Sequence, residues 1–343
     1  MIDYALLKKL CTAAGISGDE GSVRDIIINE IKEYADELRV DNLGNLLVHK
    51  KGRAPAVNKL MLSAHMDEVG LLVTDVTSDG YLKIDEVGGI DRRVLVGKRV
   101  YVGRDHLPGV MGVKPIHLTK GDEKTAIPEY SEMYVDIGAT SKEEALLHVR
   151  YGDSVTFCSE FTETASFINS KAIDDRFGCL VLIDLIKSDL PYDMDFTFVV
   201  QEEIGLRGAT VAAYTIAPDF ALVIETTTAA DIPEIDVQKQ VCNLGQGAVI
   251  SFMDRHTIYN KELVKLGMDT AAEIGVKAQY KRAVAGGNDA GAIHKSRGGV
   301  RTLAISLPCR YLHAPSCTAN KDDCESVLRL THAMAEKLAG GQL

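Results

Sequence analysis

The apolar positions of this chain change period along its length. Val23, Ile27, Ile31, Tyr34 and Leu38 recur at helical spacing behind Ser17-Gly-Asp-Glu20, which has the form of a capping box, and predict a helix to about Leu38. A shorter amphipathic helix over Asp3–Ala14 precedes it and stops at Gly15. LRVDNLGNLLVHK then reads as two strands around a tight turn at Asn42–Asn45, and Lys59–His65 as a buried strand. From about Val69 to Phe161 the texture shifts to short β-like runs: GLLVTDV, GYLKIDEV, GKRVYV, GVMGVKP, EMYVDIG and DSVTF. Gly, Pro, Asp and Lys separate them, and only Ser141–Val149 looks helical. After Ser166 the alternation resumes. Helices are expected over 175–188, 206–214, 258–274, 290–295 and 321–338, and strands over 196–200, 220–224 and 300–306.

Helices and strands in alternation predict an α/β fold, a mixed central sheet with helices on both faces. The β-rich block interrupts it. The expected organisation is a discontinuous α/β domain of residues 1–68 and 163–343, with 69–162 inserted as a small β-rich domain. The length of 343 residues suits roughly two domains at about 100–200 residues each.

Charge narrows the partners. A formal net charge of −11 argues against nucleic acid and anionic membranes, both of which need clustered Lys and Arg. No apolar run approaches the ~20 residues that span a bilayer. The N-terminus lacks a charged segment followed by an apolar one, so no signal peptide is expected. Seven Cys, dispersed and without a C-x-x-C pair, read as reduced, mostly buried thiols of a cytoplasmic protein.

The candidate chemistry sits where apolar strands end. LMLSAHMDE ends in His65 and Asp67, MDFTFVVQEE in Glu202 and Glu203, PDFALVIE in Glu225, and LAISLPCRYLH in His313; SKAIDDR carries Asp174 and Asp175 before a helix. The strands of an open α/β sheet deliver their C-terminal ends to one crevice. A strand-edge His, or an Asp capping a helix, accounts for each of these singly. Five such sites at one topological place point to a shared task. Two His and several carboxylates could hold two divalent ions, with one carboxylate left to carry a proton, the equipment for metal-assisted amide hydrolysis. A carboxylate such as Asp174 could bridge two cations while Asp175 caps the helix. Of the adjacent Glu202 and Glu203, one could ligate while the other acts as general base. Asp67 could accept a hydrogen bond from the second ring nitrogen of His65. Cys309 and Cys317 flank His313 but read as buried thiols, and GGNDAG at 286–291 reads equally as a ligand-facing or a structural turn.

AHMDEVG, KAIDDRFG, QEEIGLRGA, GGNDAGA and RYLHAP, in this order and spacing, resemble the dinuclear metalloaminopeptidases of the tetrahedral-aminopeptidase and glutamyl-aminopeptidase type, metallopeptidase family forty-two. The likeness covers nearly the whole chain. It implies a zinc-exopeptidase-like α/β fold with a β-barrel insert that contributes oligomer contacts, and hollow assemblies of dimers, often dodecamers. It also implies two divalent ions per subunit, zinc first and cobalt or manganese as alternatives, acting on short peptides. It assigns His65, Asp174, Glu203, Glu225 and His313 as metal ligands, with Asp174 bridging, Glu202 as general base and Asp67 orienting His65. It further implies a cis peptide at Asp174–Asp175. The family pattern more often has Asp where this chain has Glu225. A deacylase or carboxypeptidase on the same site would need cationic groups such as Arg92, Arg93 or Arg310 for a substrate carboxylate. An endoglucanase, a label some relatives carry, would want aromatic sugar platforms, and the chain has no Trp. A non-enzymatic scaffold would have lost a ligand, and none is lost.

Overall fold

A computed structural model describes residues 1–343, the side chain of residue 123 excepted. Its centre is an 11-stranded mixed sheet. Four parallel strands form the middle: Met194–Val199, Leu60–His65, Phe220–Thr228 and Arg301–Arg310, in that order. Their registers, with Val199 opposite His65 and Glu225 opposite Ser306, bring the C-terminal ends to one edge of the molecule. Antiparallel strands extend the sheet on both sides, Leu46–Lys50 and Glu37–Val40 beyond Met194–Val199, and Cys317–Asn320, Phe167–Ser170 and Thr162–Glu163 beyond Arg301–Arg310. Strands Leu60–His65 and Met194–Val199 are buried at every position, as expected of parallel strands covered on both faces. Helix Ile173–Lys187 packs on Leu60–His65 and Phe220–Thr228, with helices Tyr4–Thr12 and Gly21–Ile31 against it, while Arg207–Ile216 and Ala290–Ile293 pack together as a separate pair on the sheet.

Between Val69 and Thr162 the chain leaves the sheet and closes a six-stranded barrel: Gly70–Val76, Leu82–Val87, Tyr134–Asp136, Leu107–Gly112, Arg99–Val102 and Ser154–Phe157 around the ring. Closure removes the free edges that strands this short would expose. The barrel core is its own apolar cluster, built from Leu71, Val73, Leu82, Val100, Met111, Val135 and their neighbours.

The structure departs from the sequence pattern at the N-terminal helices. The second helix ends at Ile31, not Leu38. Leu38 is drawn into strand pairing opposite Val48, and the Asp36 N–H donates to the His49 carbonyl, so sheet pairing overrides the helical spacing. The Ser17–Glu20 capping box does not form either. Helix Gly21–Ile31 has no side-chain cap, and Ser17 and Glu20 are spent elsewhere. The strand at 300–306 runs on to Arg310. His49 and His332 pair with Asp195 at 2.8 Å and Asp184 at 2.9 Å across the fold. All seven Cys are free, and all but Cys158 are buried.

Candidate active site

The crevice at the C-terminal strand ends is assembled from five segments. His65 is the last residue of its strand and is almost fully buried. Its Nδ1 lies 3.0 Å from the Asp67 backbone carbonyl and 3.6 Å from the Asp67 carboxylate. A carbonyl only accepts, so Nδ1 carries the proton and Nε2 is left as a free donor of electrons. That Nε2 lies 3.3 Å from Asp174 Oδ1 and 3.8 Å from Glu225 Oε2.

Asp67 thus orients His65 mainly through its carbonyl. Its carboxylate accepts from Ser17 Oγ at 2.6 Å and from the N–H groups of Glu202 at 3.0 Å and Glu203 at 3.1 Å. Glu20 supports the same turn, accepting from the Gln201 N–H at 3.1 Å. Burial alone would raise the Asp67 pKa, but the nearby His65 ring and the hydrogen bonds from Ser17 and the Glu202 N–H outweigh it and hold the carboxyl below its usual range.

Asp174 stands between the two imidazoles. Oδ1 faces His65, and Oδ2 lies 3.5 Å from His313 Nε2. The Asp174–Asp175 peptide is cis. Asp175 turns away from the crevice and accepts from the N–H groups of Gly178 at 3.0 Å and His65 at 3.3 Å. A Cβ at residue 178 would stand 2.3 Å from the Asp175 carboxylate, so that glycine is part of the arrangement. Glu203 Oε2 lies 3.3 Å from His313 Nε2. His313 sits beyond the end of its strand with φ +56, and its Nδ1 is 2.9 Å from the carbonyl of Gly89, a barrel residue.

These side chains form two overlapping groups, His65–Asp174–Glu225 and Asp174–Glu203–His313, each with one ligand atom per residue lying within 4.8 Å of the others. Two atoms inside them, Asp174 Oδ1 and Glu225 Oε1, are buried with no hydrogen-bond partner. Burial pushes the carboxyls of Glu225 and Glu202 well above the usual range and that of Glu203 to about 7, with neighbouring acids adding to the effect. Burial opposes protonation of His313, but Asp174 and Glu203 overcome it and raise it to about 9. A site that crowds carboxyls until they hold protons, and leaves their oxygens unpaired, is short of positive charge. Imidazole nitrogen with carboxylate oxygen is a donor set that zinc and similar divalent ions take. The residues present fit two such ions, with Asp174 common to both.

A third group, His65–Glu202–Glu203, brings Glu202 to the same place. Sequence reasoning missed several supports. Arg176 is fully buried and donates to the carbonyls of Met66 at 2.7 Å and Leu10 at 2.6 Å, and Lys171 donates to Glu68 at 2.6 Å. These two cations tie the first helix to the segments carrying Asp67 and Asp174. Their place next to the DD pair in SKAIDDR was the only available signal. Cys309 and Cys317 stay outside the ligand groups, bonded to the carbonyls of Arg310 and Ala314. In the 286–291 turn Asn288 serves structure, bonding the Tyr259 hydroxyl at 3.0 Å, whereas Asp289 is buried with both oxygens unpartnered. The three arginines considered for a substrate carboxylate are engaged: Arg310 with Asp231 at 2.7 Å, Arg93 with Asp91 at 2.9 Å, and Arg92 with the Pro128 carbonyl at 3.2 Å.

The chain is similar to known proteins over nearly its whole length. Residues 44–330 match the family model described as M42 glutamyl aminopeptidase. A putative aminopeptidase of Acetivibrio thermocellus is 40% identical over 95% of this chain and 96% of its own. The TET aminopeptidase of a marine-sediment archaeon of the Thaumarchaeota superposes with a TM-score of 0.93 at 34% identity, covering 98% of this chain and 96% of the other. The Pyrococcus horikoshii TET1 peptidase, which can assemble into a tetrahedron or a large octahedral shell, superposes with a TM-score of 0.85 at 36% identity over 97% and 98% of the two chains.

Proposed function

Because this chain belongs to the M42 glutamyl aminopeptidase family, whose members hydrolyse peptide bonds, we propose that it is a metal-dependent aminopeptidase that removes N-terminal residues from short peptides. The observation that carries the reading is Asp174, one carboxylate with an imidazole on each oxygen and a further glutamate beside each imidazole. His65, Asp174 and Glu225 would hold one divalent ion, and Asp174, Glu203 and His313 the other. When bound, two such ions, zinc in the first instance and cobalt or manganese as alternatives, supply Lewis-acid polarisation of the scissile carbonyl and acidify an attacking water.

The chain's own groups do the rest. Glu202 takes the proton from the attacking water, holds it, and returns it to the leaving amine nitrogen. Its aim depends on Asp67, whose carboxylate receives the N–H groups of both Glu202 and Glu203 and so fixes the pair on one turn. His65 and His313 each have Nδ1 bonded to a backbone carbonyl, which leaves Nε2 of both directed at Asp174. The excess of buried carboxylates favours a substrate's free α-ammonium. The engaged arginines argue against recognition of a substrate carboxylate. Aromatic platforms for a sugar chain are not provided either, since the chain has no Trp.

The work is assigned to the cytoplasm, on the dispersed free cysteines. Among the described residues no helix is long and apolar enough to cross a membrane. The barrel is assigned to assembly: dimers building toward about twelve subunits, as the shell-forming relative suggests. Light scattering should then give a mass several-fold above 37.2 kDa. A panel of aminoacyl-p-nitroanilides tests the chemistry. The metal-free protein should be inactive and regain activity with Zn²⁺, Co²⁺ or Mn²⁺, and N-acylated substrates should stay intact. Cleavage of N-acylated substrates in preference to free amines would replace the reading with a deacylase.

A further inference from the structure

The two histidines of the site are held from different domains. His65 is fixed within the α/β domain, Nδ1 donating to the Asp67 carbonyl at 3.0 Å. His313 is fixed by the barrel, Nδ1 donating to the Gly89 carbonyl at 2.9 Å, across a sequence separation of 224 residues. The turn that carries Gly89 is built around close approach. Gly88 has φ +81, and a Cβ there would stand 2.8 Å from Val69 Cγ1 and 3.2 Å from Glu203 Cβ. One barrel turn therefore touches two of the three residues in the Asp174–Glu203–His313 group, and among the described residues no hydrogen bond or ion pair runs from the barrel to Glu225 or the His65 ring. The far side of the turn is secured too. The Ile90 carbonyl accepts from the Tyr130 hydroxyl at 3.4 Å, and Arg92 reaches the Pro128 carbonyl at 3.2 Å.

We propose that the Gly88–Gly89 turn of the barrel is a positioning element for one of the two metal sites, so that the barrel sets the affinity of the ion held by Asp174, Glu203 and His313 and leaves the ion held by His65, Asp174 and Glu225 nearly unaffected. The inference rests on the dinuclear reading above. Its physical basis is that a carbonyl accepting from Nδ1 fixes both the tautomer and the ring orientation of a metal-binding histidine. Loss of such a partner typically costs about 10- to 100-fold in metal affinity. His313 needs this hold more than His65, because it lies past the end of its strand in a left-handed conformation and is the more exposed of the two.

The test is Co²⁺ binding to the metal-free full-length protein, followed by equilibrium dialysis and the visible spectrum. Wild type should bind two ions. Gly88→Ala, whose Cβ would push the turn off Val69 and Glu203, should keep one ion at wild-type affinity and bind the other on the order of 10- to 100-fold more weakly. Gly138→Ala is the control: residue 138 is also a barrel glycine with φ +81, but has nothing within 4 Å, so it carries the same backbone strain without the contact. It should bind as wild type. The double variant Val69→Ala/Gly88→Ala removes the nearer obstacle and should recover part of the loss; it also replaces Gly88→Ala if that variant does not fold. Two tight ions in both the single and the double variant would overturn the proposal, as would equal weakening of both ions. A wild-type protein that binds no Co²⁺ would instead remove the dinuclear reading on which it stands.

Discussion

The α/β domain and the barrel bury their interiors in opposite ways. The barrel interior is apolar apart from Ser154 and Thr156, and among the described residues none of its charged groups is fully buried. The α/β domain buries His65, Asp67, Glu68, Lys171, Asp175, Arg176, Glu225, Asp254, Lys281, Asp289 and Asp323. Burying a charge is costly unless it is paired and hydrogen-bonded. Some of these are: Arg176 spreads over four carbonyls, and Asp67 takes three donors. The carboxyls around Asp174 are not paired in this way. A fold able to make a dry barrel has left this cost in one crevice, and two cations would relieve it there. The contrast separates an element that folds for its own sake from one completed by a ligand.

The sharpest way to break that contrast is to remove the shared carboxylate. Asp174→Ala should lose both ions and all measurable peptidase activity, whereas His313→Ala should lose one ion. Metal analysis of the purified variants decides. If Asp174→Ala retains one ion at full affinity, the two groups do not share a ligand.

Next in size is Glu202→Gln. It should retain both ions and lower kcat by about 10²–10⁴, the usual worth of a general acid–base group, with the chelator-treated and reloaded protein as reference. Loss of an ion in this variant would make Glu202 a ligand, through the His65–Glu202–Glu203 group, and pass the proton role to its neighbour.

Much of this was legible in the chain because the His and Glu residues gathered in the crevice leave a local mark at strand ends: an apolar run stopped by His or Glu. Period and texture also separated the β-rich insert from the alternating α/β segments. What could not be read was long-range. The helix forecast to Leu38 failed because residue 38 pairs with Val48, which no local spacing records. Ser17 and Glu20 looked like a cap because their spacing is that of a cap; Ser17 instead bonds Asp67, 50 residues away, and Glu20 accepts from the neighbouring Gly18 N–H and from Gln201, 181 residues away. The same holds for Gly89, whose carbonyl is invisible in a sequence. The Asp67 carboxylate also serves a purpose not evident from its place beside His65, since its oxygens hold the Glu202–Glu203 turn.

Chelation should make the two regions differ in their response to pH. In the metal-free protein burial holds Glu203 and Asp289 near 7 and Glu202 and Glu225 well above the usual range. All four folded pKa values exceed the unfolded ones, so the contribution is fully present below about 4 and is lost as pH rises, for Glu203 and Asp289 through about 7. His313, raised to about 9, has the same sign: its contribution is present below 6.5 and is lost as pH rises through about 9. The Tm of the chelated protein should therefore fall by several degrees between pH 5 and 9, at roughly 2–4 °C per kcal/mol. Metal loading should flatten or reverse that slope, because cations compete with protons for the same oxygens. A chelated protein whose Tm rises steadily over this range would show that the crevice carboxyls are ionised at little cost, and the contrast between the two interiors would be lost.

The smallest expected effect comes from Ser17→Ala, which probes whether the crevice is held from its outer edge. The hydroxyl donates to Asp67 Oδ2 at 2.6 Å, and both residues are buried. Asp67 keeps the Glu202 and Glu203 N–H groups when the hydroxyl is removed, and its carbonyl still accepts from His65. A hydrogen bond to a charged group contributes about 1.5–3 kcal/mol, but here it is one of several on the same carboxylate, and the methyl of alanine leaves little empty space. The loss should fall mainly on stability, at about 1–2 kcal/mol by chemical denaturation. kcat/KM should drop by less than about tenfold, the equivalent of 1.36 kcal/mol at the transition state, with both ions retained. Ser17→Thr keeps the donor and should recover most of the stability if the added methyl is accommodated. A drop in kcat approaching that of Glu202→Gln would mean that the hydroxyl takes part in aligning the base directly, and that the crevice depends on the loop before the second helix as closely as it depends on the strand ends.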